Sequence, residues 1–177
     1  MSNVSLRPAV IGDIPAITRI YADAVLHGTA TFEIEPPDEA EMARRMAALL
    51  SGDYPYLVAE IGGGVAGYAY AGPYRARPAY RWCVENSIYV DRPFRRRGIG
   101  LLLLNRLIEE TTARGSRQMI AVVGDSGQTA SIALHQAAGF AFVGTLRAVG
   151  YKHGQWLDTP LLQLALGDGD ASPPQRA

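Results

Sequence analysis

A run rich in β-branched and aromatic residues, ending Ile88-Tyr-Val90, passes through Asp91-Arg-Pro-Phe-Arg-Arg-Arg into Gly98-Ile-Gly100 and then into a leucine-rich stretch. Glycines let backbone approach a ligand closely, and N–H groups at a helix start attract an anion, an attraction that Arg95, Arg96 and Arg97 would reinforce. The chemistry suited to such a turn is the holding of a pyrophosphate. A solvated basic turn with two tight-turn glycines is the other reading, because a bare G-x-G is a weak signal. No Gly-Lys-Ser/Thr follows and no third glycine falls in place, so neither a Walker A loop nor a dinucleotide fingerprint is present. Three further groups carry chemistry. Glu85 lies on the strand that enters the turn, as a carboxylate beside an anion site or as an exposed strand residue. Arg75 and Arg77 stand two apart in the extended stretch GPYRARPAYR; they can point the same way as donors to an oxyanion, or form a solvated pair. Ser131 and His135 are four apart and share a helix face.

These residues need elements to position them. Residues 4–8 alternate as a first strand, and Ile14, Ile17, Ile20, Tyr21, Ala24 and Val25 recur at helical spacing behind Asp13 as cap, to about Leu26. After a loop at 28–35, Asp38 with Glu41 starts a second helix whose stripe is Met42, Met46, Leu49 and Leu50. Runs 56–61 and 65–71 flank three glycines as a hairpin, and 82–90 is the next strand. The prolines and charges of 72–81 exclude a central strand there. A helix over 98–114, burying Leu101, Leu102, Leu104, Leu107 and Ile108, leads to an apolar strand at 118–123, which makes a βαβ crossover. A helix over 129–138 ends at Gly139, and strands over 140–149 and 156–166 follow. The expected fold is α/β (α+β): one mixed, mostly antiparallel twisted sheet with helices on both faces and one central βαβ crossover. Residues 1–166 form a single domain, and 167–177 (GDGDASPPQRA) is expected to be a disordered tail.

With 48% hydrophobic and 19% charged residues, the chain of 177 can bury a core. Lys+Arg 17 balances Asp+Glu 17, so no global field gathers polyanions, and a nucleic-acid role would rest on Arg92–Arg97 alone and show strongly salt-dependent affinity. No apolar run approaches the roughly 20 residues of a membrane span, and no secretory signal is readable. The single cysteine, Cys83, forms no internal disulfide and is expected to be structural; His27, His135 and His153 have no metal-ligand spacing. A cytoplasmic protein without metal is the expectation.

Arg95-x-x-Gly98-x-Gly100 at a strand-to-helix junction resembles the R/Q-x-x-G-x-G/A motif of the GNAT superfamily of N-acetyltransferases. Gln128-Thr-Ala-Ser131-Ile-Ala-Leu-His135-Gln-Ala-Ala-Gly139-Phe140 is similar to that family's later helix, with Gln128 where Asn is usual. The stretches 71–90 and 150–158 resemble the phosphinothricin and methionine sulfoximine acetyltransferase branch, and similarity extends over about residues 4–166. The resemblance implies a GNAT fold, acetyl-CoA as co-substrate and no metal. It puts the pyrophosphate on the backbone of Arg95, Arg96, Arg97, Gly98, Ile99, Gly100 and Leu101. The pantetheine amides would pair with Ile88, Tyr89 and Val90 as a pseudo-strand, with Gln128 and Ser131 as further contacts.

On the acceptor side the resemblance implies Glu85 as the base, directly or through water, since an α-amine with a pKa near 8 is substantially protonated at neutral pH. His135 or Tyr89 would return a proton to the thiolate; a satisfied helix histidine and a core tyrosine are the competing readings. Arg75 and Arg77 would clamp an anionic group, and Phe32, Tyr80 and His153 would line the pocket, His153 reaching it from a partner in a homodimer. The implied reaction is direct transfer, in a ternary complex, to the α-amine of phosphinothricin, methionine sulfoximine or methionine sulfone. Another amine, such as a polyamine or a protein N-terminus, and a noncatalytic acyl-CoA sensor are the alternatives.

Overall fold

The structure is a computed structural model and describes residues 4–174. Its elements run β1 (Ser5–Pro8), α1 (Ile14–His27), α2 (Glu39–Ser51), β2 (Tyr56–Ile61), β3 (Gly64–Pro73), β4 (Cys83–Val90), α3 (Ile99–Ala113), β5 (Gln118–Val122), α4 (Thr129–Ala137), β6 (Ala141–Lys152) and β7 (Gln155–Ala165). The seven strands form one sheet in the order β1-β2-β3-β4-β5-β7-β6. Every pairing is antiparallel except β4 with β5, which α3 joins as the expected crossover.

Alternation along the central strands feeds two cores. Tyr56, Val58 and Tyr68 pack with α1 and α2, while Leu57, Ala59, Ala69, Ala71 and Val84 pack with α3. At β2–β3 the register jumps from Ala59↔Gly67 to Glu60↔Val65, so Ala66 is an extra residue, a bulge that switches which parity faces α3.

The helices form where the apolar spacing puts them, with local differences. Asp13 stands at the start of α1 but does not cap it: its carboxylate turns back to accept from the Val10 N–H at 2.8 Å and from Arg7 at 2.7 and 2.8 Å. Arg7 and that N–H hold the Asp13 carboxyl below the usual range against burial. Asp38 does cap α2, accepting from Glu41 N at 2.8 Å, but the Glu41 side chain goes to Arg44 and Arg45 rather than back to the cap. Leu50, expected in the stripe, is 44% exposed, because Met42 and Met46 alone face the sheet fully. In α3 the buried row is Leu103, Leu104 and Leu107, and Leu102 is exposed. Four consecutive leucines leave the helix phase open, and contact with β3 and β4 selects it; each fully buried leucine contributes about 2 kcal/mol.

The described part of the tail also departs from expectation. Leu166 is buried, Gly169 N bonds to Leu166 O at 2.9 Å, and Arg117 donates to Ser172 Oγ at 2.9 Å, so residues 167–174 turn back beside β5. Residues 175–177 lie outside the described residues.

Candidate active site

β4 and β5 pair only from Cys83↔Gln118 to Asn86↔Ala121. Beyond that rung β4 continues to Val90, bonded to β3 on one edge, from Tyr70↔Ser87 to Gly67↔Val90, and left without a strand on the other. A buried backbone edge needs partners, so this fork suits an extended ligand carrying amides. A cleft of about 540 Å³ occupies it. Its walls are α1 and residues 28 and 30 on one face, α3 and α4 on the other, and residues 121–124 at the end of β5.

At one end lies the basic turn. Gly98 caps α3 in the left-handed region, φ +78°, which a glycine adopts without the usual cost. The first α3 bond closes from Leu102 N to Gly98 O at 3.1 Å, so the preceding N–H groups have no helical carbonyl, an arrangement that suits an anion. Gly100 lies against Leu134 of α4, where an added Cβ would come 3.4 Å from Cδ2. The arginines divide. Arg95 donates to Val90 O at 3.0 Å and to Asp23 at 3.3 Å, Arg92 also binds Asp23, and Arg96 lines the cleft. Arg97 stacks its guanidinium over Phe94, 5.5 Å from the ring centre, and does not line the cleft. Of the sequence-derived contacts, Ile88, Tyr89, Val90, Arg95, Arg96, Gly98, Ile99, Gly100, Leu101, Gln128 and Ser131 all border this cleft. Gln128 is also a strut, its amide donating to Thr29 Oγ1 at 2.9 Å, while Thr29 donates to Asp125 at 2.8 Å.

His135 borders the cleft under the fork. It is 5% exposed, with Nδ1 2.8 Å from Ser131 O and Nε2 3.0 Å from Asn86 Oδ1, and Asn86 donates onward to Ile120 O. Burial lowers its pKa, opposed by the Ser131 carbonyl. Tyr89 lends its backbone to the cleft, but its ring joins a tyrosine stack, 5.1 Å from Tyr21 and 5.2 Å from Tyr68. Burial there raises the phenol's pKa well above its ordinary value.

The acceptor-side residues are on other elements. By alternation Glu85, Ser87 and Tyr89 face the α1–α2 side, where burial raises the Tyr70 pKa. Desolvation raises the Glu85 pKa, and the charge of Arg75 opposes the rise. Arg75 is exposed over the Tyr74 ring, which meets Tyr80 edge-on at 5.8 Å, and its charge is felt at Glu85. Arg77 is exposed, and its carbonyl accepts from Tyr80 N. Phe32 is half-exposed against Gly150, and His153 is exposed with Nε2 3.3 Å from Gly28 O. None of Glu85, Phe32, Arg75, Arg77, Tyr80 or His153 borders the cofactor-sized cleft. Cys83 is half-buried, and burial pushes its thiol up. Among the described residues there is no cluster of three metal-ligating side chains and no helix long and apolar enough to cross a membrane.

Sequence reasoning missed Asn86 as the partner of His135, Asp23 as the partner of the turn's arginines, and the Thr29–Asp125–Gln128 strut. Each joins residues at least 49 positions apart, so no periodicity or spacing signals them.

An acetyltransferase (GNAT) domain model matches residues 6–161. The chain is 50% identical to a phosphinothricin N-acetyltransferase of Alcaligenes faecalis over 92% of this chain and 83% of the relative. It is 40% identical to an L-methionine sulfoximine/L-methionine sulfone acetyltransferase of Pseudomonas paraeruginosa over 97% and 99% of the two chains. A crystal structure of a GNAT superfamily phosphinothricin acetyltransferase from Sinorhizobium meliloti in complex with AcCoA superposes with a TM-score of 0.96 at 49% identity, covering 99% of this chain and 95% of that one. The forked sheet, the left-handed glycine opening α3 and the matched span agree with one another, and the chain belongs to the GNAT family of acetyltransferases.

Proposed function

We propose that this enzyme transfers the acetyl group of acetyl-CoA to the α-amine of a small amino-acid analogue, phosphinothricin, methionine sulfoximine or methionine sulfone, by direct attack in a ternary complex. The observation that carries the reading is the fork: a free β4 edge and an anion-binding helix start on one side, and Glu85 with Arg75 on the other. The identities with enzymes named for those acceptors support the substrate class.

Acetyl-CoA supplies an activated thioester carbonyl. The residues present fit it, since amides need the unpaired edge of residues 88–90 and a pyrophosphate needs the N–H groups opening α3. Glu85 takes the proton of the acceptor ammonium, directly or through a water, and its raised pKa makes it a better-matched base near neutral pH than an ordinary carboxylate. Arg75 and Arg77 hold the acceptor's acidic group, with Phe32 and Tyr80 beside it. His135 or a tyrosine returns a proton to the departing thiolate, and for His135 this requires its ring N–H to leave the Ser131 or Asn86 oxygen that it faces.

The enzyme is a homodimer in this reading. Phe142, Val143, Leu146, Val149, Tyr151 and Trp156 are each more than half exposed on β6 and β7, a row of apolar side chains of the kind that marks an interface. His153, at the tip of that hairpin, reaches the acceptor site from a partner. A cytoplasmic location accords with a lone thiol at Cys83.

The test is thiol release from acetyl-CoA with phosphinothricin, methionine sulfoximine, methionine sulfone, spermidine and a Ser-initiated peptide. Saturable turnover on the first three alone is expected. Turnover only on spermidine or peptide would overturn the arginine clamp, and acetyl-CoA binding without turnover would make the protein a sensor.

A further inference from the structure

Residues 31–33, between α1 and α2, are held by side chains from three elements, β6, α1 and α2. Lys152 ends β6, is 3% exposed, and donates from Nζ to Thr31 O at 2.8 Å. Burying an ammonium is costly unless it is hydrogen-bonded. Burial lowers its pKa, and Glu33 opposes that from the same segment. Thr31 Oγ1 lies 2.9 Å from the Tyr21 hydroxyl. That hydroxyl donates to Glu33 Oε1 at 3.0 Å, and Arg45 of α2 donates to the same oxygen at 2.6 Å. Both neighbours of Phe32 are therefore fixed, and its ring lies on Gly150, where an added Cβ would fall 2.7 Å from Cδ2 and 2.8 Å from Cζ. Real Cβ atoms do not approach a ring so closely, so any larger residue at 150 displaces Phe32.

We propose that Gly150 and Lys152, at the end of β6, are positioning residues for the acceptor: Lys152 fixes the backbone on which Phe32 is mounted, and Gly150 leaves the seat its ring occupies. β6 thereby sets which acceptor side chains fit, although it touches neither the acetyl-CoA cleft nor Glu85. This rests on the reading that Phe32 faces the acceptor. It predicts that acceptor choice among related enzymes changes with the residues at 150 and 152 while the turn that opens α3 stays the same.

Two variants of the full-length enzyme test it. Lys152→Met keeps the aliphatic stem and removes the donor. Amide hydrogen exchange at Glu33, whose N–H donates to Thr31 Oγ1 at 3.3 Å, should rise at least tenfold, and KM for the acceptor should rise about tenfold, with kcat within threefold and acetyl-CoA affinity within twofold. Gly150→Ala should change the ratio of kcat/KM between methionine sulfone and phosphinothricin at least fivefold. That effect should vanish in a Phe32→Ala background, because the alanine at 150 then has no ring to displace. Unchanged exchange in Lys152→Met, a uniform fall in kcat with KM unmoved, or a Gly150→Ala effect that persists without Phe32 would each overturn the proposal. Absence of wild-type turnover on every analogue would instead overturn the acceptor class of the preceding subsection, and the exchange result would still decide the role of Lys152.

Discussion

On the α3 side of the fork the free β4 edge and the turn that opens α3 come from one stretch of chain. On the α1–α2 side, outside that cleft, side chains from α1, α2, β4, the loop after β3 and the end of β6 gather over separations of up to 121 residues. The first region can hold a fixed ligand with little dependence on side-chain identity, because N–H groups are common to all residues but proline. The second can vary its ligand by substitution without disturbing the first. A pyrophosphate-bearing co-substrate and a variable acceptor are matched to this division of labour.

Removing the base of the second region has the largest expected effect. Glu85→Gln should lower kcat by about 10²–10³ while acetyl-CoA affinity stays within twofold, measured by thiol release and calorimetry. The same variant should be more stable near neutral pH. A carboxyl whose folded pKa is raised loses stability as pH rises from its unfolded pKa through its folded one, so the gain in Tm should disappear on acidification below the ordinary glutamate range.

Where the two regions touch, Gly124 has no room: a Cβ there would run into Thr29 O and come 3.0 Å from the Ala30 carbonyl carbon. Gly124→Ala should cost about 1–3 kcal/mol by denaturant titration and raise KM for both substrates, because it separates the walls. Gly98→Ala, which forces a side chain into φ +78°, should cost about 1–2 kcal/mol and appear in the acetyl-CoA constants alone. An equal effect of Gly98→Ala on acceptor KM would break the comparison. The smallest effect sharpens it: Arg75→Ala removes the cation that opposes the raised Glu85 pKa, so the acidic limb of the kcat/KM profile should move to higher pH. The basic turn's Arg96→Ala should leave that limb where it is.

The legible parts of the sequence were those that depend on neighbours in the chain. Glycine at 98, the arginines around it and the leucines after it announce the turn and its helix, because positive φ and an unpartnered helix start are local properties. The βαβ crossover followed from strand, helix and strand in succession. Resemblance extended this to Glu85 and Arg75, whose mutual charge effect fits their being grouped, but alternation alone did not say which face of β4 would meet which ligand. Asp13 and Leu102 were misjudged because a better partner, Arg7, and the choice among four leucines exist only in three dimensions.

By itself, then, the sequence determined the order of elements, the basic glycine turn that opens α3 and the chemistry at hand. Tertiary structure decided where β4 and β5 part, that Asn86 rather than solvent meets His135, and that Lys152 reaches Thr31. The physical reason is range: backbone conformation is fixed within a few residues, whereas a buried side chain takes its hydrogen-bond partner from whatever the packing of distant elements brings within about 3 Å.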